Sequence, residues 1–383
     1  MKVRPTFLRV HRWFGLTLGL VVMVSAITGV GMAFRKQLDP LVYPQLFKAS
    51  PCKNPLPPQR LVRSAKGAKP KGKLVYIRVF PAGEAPSAVR FAGNDTVFVD
   101  RCTGLVTGSQ NRYAGIFGFL EFIHRGQWLP AGGTFMGAGA LSVVLILGMG
   151  GMFLWWPRNI RRFGRGFVID RRLKGPAFTL VLHRTTGAWV VTFLMISALT
   201  GLPNAFDGVK SAMMRIGAPE RSAPLASVPP NGVRPKPLAL DKVWNIVTRQ
   251  SPEPREVLIP LKRNAPTDPL EIFIIAADAP HANARTYLDL DAYSGKVLKF
   301  TPYRESSIGA KIYYFGLSLH TGKIGGIPGQ LCLFIGAIGA LVLGVTGMQS
   351  YVGRVLRRRN PQLAAAGRAG RAGASLPSPT TVA

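Results

Sequence analysis

The chain has 383 residues, 47% of them hydrophobic, and 49 Lys/Arg against 17 Asp/Glu give it a formal charge of +32. Four apolar stretches, roughly 12–34, 134–156, 185–205 and 327–350, reach the ~20 residues that cross a bilayer, which excludes a soluble globule. The basic residues are spread over loops and ends with no nucleic-acid motif beside them, so they argue for membrane topology and against a nucleic-acid partner.

The first element, 1–35, is an N-terminus and a membrane helix that opens on His11-Arg12 and runs to Ser25-Ala-Ile-Thr28-Gly29 and Phe34. Its apolar span is long for a cleaved leader, and no clear small-residue cleavage site follows, so it is expected to stay as an anchor. The segment 36–113 begins Pro-rich (Pro55, Pro57, Pro58). It continues with a candidate helix near Gln59–Lys66 and strand-like runs at Lys73–Phe80, Ser87–Phe91, Thr96–Asp100 and Leu105–Thr107. Alternation of apolar and polar residues in Leu74–Phe80 is the signature of a half-buried strand. Residues 114–157 re-enter the membrane through a semi-apolar segment carrying His124-Arg125-Gly126 and then a Gly-rich helix ending Trp155-Trp156. The loop 158–176 is strongly basic: Arg158, Arg161, Arg162, Arg165, Arg171, Arg172 and Lys174 face a single Asp170.

The plan then repeats. A helix in 177–206 opens on His183-Arg184 and closes on Ser197-Ala-Leu-Thr200-Gly201 and Phe206. Against residues 11–34, at an offset of 172, ten of 24 positions are identical. The segment 207–307 has a candidate helix near Leu238–Arg249 and strands near Glu256–Lys262, Leu270–Ile275 and Arg285–Asp291. Both segments carry the same turn, Asp100-Arg-Cys-Thr103-Gly104-Leu-Val106 and Asp291-Ala-Tyr-Ser294-Gly295-Lys-Val297, in which Asp opens and Gly closes. Each segment therefore reads as a small α+β domain. Residues 308–352 bring a second re-entry segment with His320 and a fourth helix. An offset of 196 aligns His124 with His320, Gly151 with Gly347 and six further pairs. The basic tail, 353–383, is expected to be disordered from about Asn360.

Basic residues next to membrane helices mark the cytoplasmic side, which places both termini and 158–176 inside and the two long segments outside. Cys52 and Cys102 then share an outside loop, either as a disulfide or as two thiols.

The chain has five histidines, four of them at matched positions of the repeat; only His281 stands outside the pattern. The topology puts His11 and His183 at the start of helices one and three on the inside, and His124 and His320 on the outside. Two converging histidines without Cys, Asp or Glu beside them are poor for zinc, which wants four protein ligands. They suit haem, whose porphyrin supplies four nitrogens and leaves two axial positions. No C-x-x-C-H is present, so the haem would be b-type. Arg12, Arg184 and Arg125 stand beside the histidines as candidate propionate partners. A headgroup-anchoring role for an interfacial His-Arg pair is the plainer alternative. No P-loop, strand-linked G-x-G-x-x-G, Ser-His-Asp set or H-E-x-x-H is visible, so if the chain is a reductase its electrons come from a separate cytoplasmic donor or from quinol.

Val10-His11-Arg12…Thr28-Gly29, the turn Asp100–Val106, His124-Arg-Gly126 and Trp155-Trp156-Pro157-Arg158 together resemble the PepSY-associated transmembrane family over about residues 8–358. The resemblance implies four main transmembrane helices as two tandem repeats, each with an extracytoplasmic α+β PepSY-like domain and a short interfacial re-entry helix. It further implies an inner-membrane protein of Gram-negative bacteria. The characterised kind nearest in layout is the ferrioxamine-type ferrisiderophore reductase, with two haem b on His11/His183 and His124/His320 and a ferric siderophore, hydroxamate favoured, as substrate. The second copy departs from the pattern: Thr follows His320, and Gln349-Ser350-Tyr351 replaces Trp-Trp. Three other readings compete: a haem carrier serving a quinone or a periplasmic protein, a haemless protein whose PepSY-like domains bind or inhibit a peptidase, and a transporter, which four main helices without intramembrane carboxylates or a broken midplane helix fit poorly.

Overall fold

The computed structural model of the protein describes residues 3–50, 52, 54–69, 71–81, 85–218, 225–230 and 236–359; the tail expected to be disordered lies outside them. The first half of the chain holds α1 (Val3–Leu16), α2 (Leu18–Met32), α3 (Arg35–Val42), α4 (Pro44–Phe47) and α5 (Pro58–Ala68). Strands β1 (Leu74–Val79), β2 (Ser87–Phe91), β3 (Asp95–Val99) and β4 (Val106–Asn111) follow, then α6 (Gly115–His124), α7 (Gly132–Ser142), a π-helical turn Val143–Gly148 and α8 (Met149–Trp155). The second half holds α9 (Gly175–Ala205), α10 (Asp207–Arg215), α11 (Leu240–Gln250), β5 (Glu256–Pro260), β6 (Leu270–Ile275), β7 (Arg285–Leu290), β8 (Val297–Thr301), α12 (Ile308–His320) and α13 (Gly326–Arg359).

Among the described residues, three stretches are unbroken helices long and apolar enough to cross a membrane: Gly132–Trp155, Gly175–Ala205 and Gly326–Arg359, of 24, 31 and 34 residues. The expected first span is instead two helices bent by 52°, and it makes a fourth span only when the pair is counted as one. The break falls at Thr17, whose hydroxyl donates to the Trp13 carbonyl (2.9 Å). His11 and His183 do not open their helices, as the sequence suggests. Each lies eight residues past the helix start, Val3 in one case and Gly175 in the other.

Two compact units emerge: 3–27 with Leu141–Met195 and 335–359, and Thr28–Ala140 with Ile196–Phe334. The first is helical. A side chain at Gly339 would collide with Val190, and one at Gly344 with Met23, so glycine is what lets these helices approach. Trp155 is buried against Phe163 and Phe167 at ring-centroid distances of 5.3 and 4.9 Å. It donates through Nε1 to the Gly166 carbonyl (3.2 Å), tying the basic loop to the end of α8.

The second unit is built on one antiparallel sheet. Where two separate α+β domains are expected, the eight strands among the described residues join in the order β4-β3-β2-β1-β5-β6-β7-β8. The joint is β1 against β5, with Ile77 opposite Ile259 and Val79 opposite Val257. The reason is that β1 and β5 are equivalent edges of the two copies, and each satisfies the other's unpaired backbone groups. Alternate residues of the strands (Ile77, Val79, Val89, Val97, Val257, Ile272, Leu288) bury one face under α5 and α11, which contribute Leu61, Ala65, Val243 and Val247. The two helices also cap each other: Asp241 Oδ1 accepts from Gln59 N (3.1 Å) and Gln59 Oε1 accepts from Leu240 N (3.3 Å). Cys52 and Cys102 are joined in a disulfide across 50 residues.

Candidate functional site

The two units each contain one pair of the repeat histidines. In the helical unit, His11 on α1 and His183 on α9 face each other with ring centroids 6.4 Å apart and planes at 87°. Gly151 and Gly347, the matched glycines of the second and fourth helices, lie against them; a Cβ on Gly151 would stand 3.3 Å from His11 Cε1, and one on Gly347 3.5 Å from His183 Cε1. The rings are thus seated alike. His183 Nδ1 meets Thr346 Oγ1 at 3.0 Å. His11 Nδ1 is buried and makes no hydrogen bond; the Ile146 carbonyl of the π-helical turn lies nearby without meeting hydrogen-bond geometry.

In the sheet-bearing unit, His124 ends α6 and His320 ends α12, with ring centroids 6.2 Å apart and planes at 51°. Their Nδ1 atoms are held by the repeated phrase itself. Thr28 Oγ1 stands 2.9 Å from His124 Nδ1, and Thr200 Oγ1 stands 3.4 Å from His320 Nδ1. His320 Nδ1 also lies 3.0 Å from the Ser197 carbonyl. A Cβ on Gly201 would come within 3.0 Å of His320 Cε1, so the glycine that follows Thr200 leaves room for the ring.

The helix ends carrying these rings are anchored from outside. Glu121, one turn before His124, accepts from Arg112 Nε (2.9 Å) and from Arg35 Nη1 (2.9 Å), and Arg35 Nε pairs with Asp39 (2.8 Å). Burial alone would raise the Glu121 carboxyl, but the two guanidinium groups outweigh it and hold the pKa below its ordinary value. On α12 the anchor is His281, the histidine outside the repeat. It is buried, with Nε2 2.9 Å from Tyr303 Oη and Nδ1 2.9 Å from Ser318 Oγ, two residues before His320. Sequence reading leaves Thr28, Thr200, Thr346, Glu121 and His281 without a role. The threonines had a signal, since Thr28 and Thr200 are matched in the repeat; His281 had none.

The candidate propionate partners are placed less tellingly. Arg184 is exposed and its Nη2 reaches the Trp155 carbonyl (3.4 Å). Arg125 is exposed at the end of α6, and Arg12 is half-buried on α1.

Among the described residues no group of three or more His, Cys, Asp or Glu side chains converges. The arrangement suits a cofactor that brings its own equatorial donors. Two imidazoles ligating one iron from opposite sides, each with a metal–nitrogen bond of about 2 Å and a ring centre ~1 Å further out, have centroids about 6 Å apart. The two pairs, at 6.4 and 6.2 Å, meet that spacing. Three of the four histidines have Nδ1 engaged, the habit of metal-bound imidazole, which would leave Nε2 as the atom to meet a metal.

Long apolar helices joined to an antiparallel sheet define the class, a helical membrane protein. The chain belongs to the family described as PepSY-associated TM region, whose model matches residues 8–354. No curated protein matches it.

Proposed function

We propose that the protein is a bacterial inner-membrane reductase holding two b-type haems, and that it passes electrons from the cytoplasmic side to a periplasmic ferric siderophore. The carrying observation is the spacing of the two matched histidine pairs, 6.4 and 6.2 Å between ring centroids, each fit for one six-coordinate iron. His11 and His183 hold the cytoplasmic-side haem; His124 and His320 hold the periplasmic-side one. Bound haem supplies one-electron Fe(III)/Fe(II) chemistry, and reduction of the siderophore's Fe(III) releases the metal because hydroxamate oxygens hold Fe(II) more weakly. The chain's own residues position and insulate. Thr28, Thr200 and Thr346 fix ring orientation, and Glu121 and His281 hold the two helix ends that present the outer pair. No acid–base residue is required. The Cys52–Cys102 disulfide supports an oxidising compartment for that segment, hence the orientation with both termini inside.

The test is an absorption spectrum of the purified protein with a pyridine-haemochrome count. Two b-type haems per chain are expected, falling to one in His124→Ala or His320→Ala. Protein expressed with ample haem that carries none would sink the reading. Dithionite-reduced protein, mixed anaerobically with a ferric hydroxamate and a ferrous chelator, should be reoxidised as Fe(II) appears. Reoxidation by quinone alone would assign a different acceptor.

A further inference from the structure

A metal-bound imidazole is tuned by what its other nitrogen meets. A hydrogen bond donated from Nδ1–H makes the ring a stronger donor and favours Fe(III) over Fe(II), which lowers the reduction potential. The four histidines differ here. His320 Nδ1 faces the Ser197 carbonyl at 3.0 Å, and a carbonyl only accepts, so the ring donates. The nearby Thr200 hydroxyl is committed to the Ile196 carbonyl (2.7 Å). His124 Nδ1 meets the matched Thr28 at 2.9 Å. In the other pair, the Thr346 hydroxyl donates to the Val342 carbonyl (2.6 Å), so His183 donates to it in turn. His11 Nδ1 is buried with no hydrogen bond. The cause is readable in the repeat: at the offset of 196 that aligns Gly151 with Gly347, the partner of Thr346 is Gly150, which has no hydroxyl to offer.

We infer that this one difference, Gly150 against Thr346, leaves the His11/His183 site with a single hydrogen-bonded ligand where the His124/His320 site has two, and so makes the His124/His320 site the lower-potential of the pair. The inference rests on the two-haem reading and gives it a consequence. The site proposed to face the siderophore becomes the stronger reductant, as a tightly chelated Fe(III) requires. Thr28 and Thr346 are then positioning residues that act through their histidines.

The experiment is an anaerobic potentiometric titration of the full-length protein in detergent, poised with dithionite and ferricyanide and followed by absorbance. Two one-electron steps are expected. Thr28→Val should raise the lower step and leave the upper. Thr346→Val should raise the upper step and leave the lower. Gly150→Thr should lower the upper step and narrow the gap; a Cβ there meets only Phe7 Cδ1, at 3.8 Å, an ordinary contact distance. Gly150→Ala, which adds bulk without a hydroxyl, should move neither step. Wild-type protein without haem removes the underlying reading. Two haems with the upper step responding to Thr28→Val, or with Gly150→Thr and Gly150→Ala behaving alike, overturn the inference alone.

Discussion

His281 shows how much a single side chain can hold. Asn283 Nδ2 donates to Ser318 Oγ (2.9 Å), so the serine hydroxyl is directed at His281 Nδ1, and Nε2–H faces Tyr303. The ring is neutral in this arrangement, and burial lowers its pKa from the ordinary 6.5. A histidine whose folded pKa is lowered contributes stability that is complete above pH 6.5 and is lost as pH falls below it. His281→Ala removes the acceptor that the buried Ser318 hydroxyl and the Asn283 backbone N–H share. The expected cost is about 1–3 kcal/mol, read as a lower thermal midpoint whose decline between pH 7 and 5 is shallower than in the wild type. An unchanged midpoint would show that the network does not hold α12.

At the scale of elements, the shared Asp-x-x-Ser/Thr-Gly turn proves to be a fastener. Asp100 Oδ1 accepts from Cys102 N (2.8 Å) and Thr103 N (2.9 Å), while Oδ2 accepts from Ser50 N (2.8 Å). Asp291 repeats this with Tyr293 N (2.9 Å), Ser294 N (2.8 Å) and Val228 N (2.7 Å). Gly104 and Gly295 close the turns at φ of +73° and +75°, where a Cβ is strained. Burial pushes both carboxyls up, but the backbone donors outweigh it and hold each at about 2. With the folded pKa depressed, the stability is present above the unfolded carboxylate value near 4 and is lost as pH falls toward 2. Each residue contributes on the order of 2 kcal/mol at neutral pH. Asp100→Ala and Asp291→Ala should each lower the midpoint at pH 7 and flatten its fall between pH 4 and 2. Equal acid sensitivity in wild type and variants would count against the fastener.

The turn was legible as a turn, because Asp and Gly act within a few residues. The strap residues Ser50 and Val228 were not, since nothing local marks a backbone donor that comes from afar. Thr17 looks in the sequence like any residue of an apolar helix, and its hydroxyl bond to Trp13 does not mark the bend either, since Thr200 and Thr346 make the same bond inside unbroken helices.

The whole molecule was legible through its duplication. Matching the two copies paired His11 with His183 and His124 with His320, and the structure seats both pairs at nearly one ring spacing. What duplication hid was the join. A repeat read as two domains has two sets of edges, and only in space do β1 and β5 prove complementary. The disulfide acts at this scale too. In the chain-entropy view a closed loop of 50 residues is worth about 4 kcal/mol. Reduction, or Cys52→Ser, should shift the urea midpoint of the sheet-bearing unit downward, with intrinsic fluorescence as the probe; a midpoint insensitive to reductant would refute this.

The β1–β5 joint also has a consequence for biogenesis. Ribosomes deliver β1 long before β5, and until the second four strands are made the first four present an open edge that any other strand can template upon. A nascent chain stalled after α8 is therefore a seed for misassembly rather than half a working protein. Antiparallel pairing of β1 with β5 is also the contact that two-fold-related strands make in a homodimer, here closed within one chain.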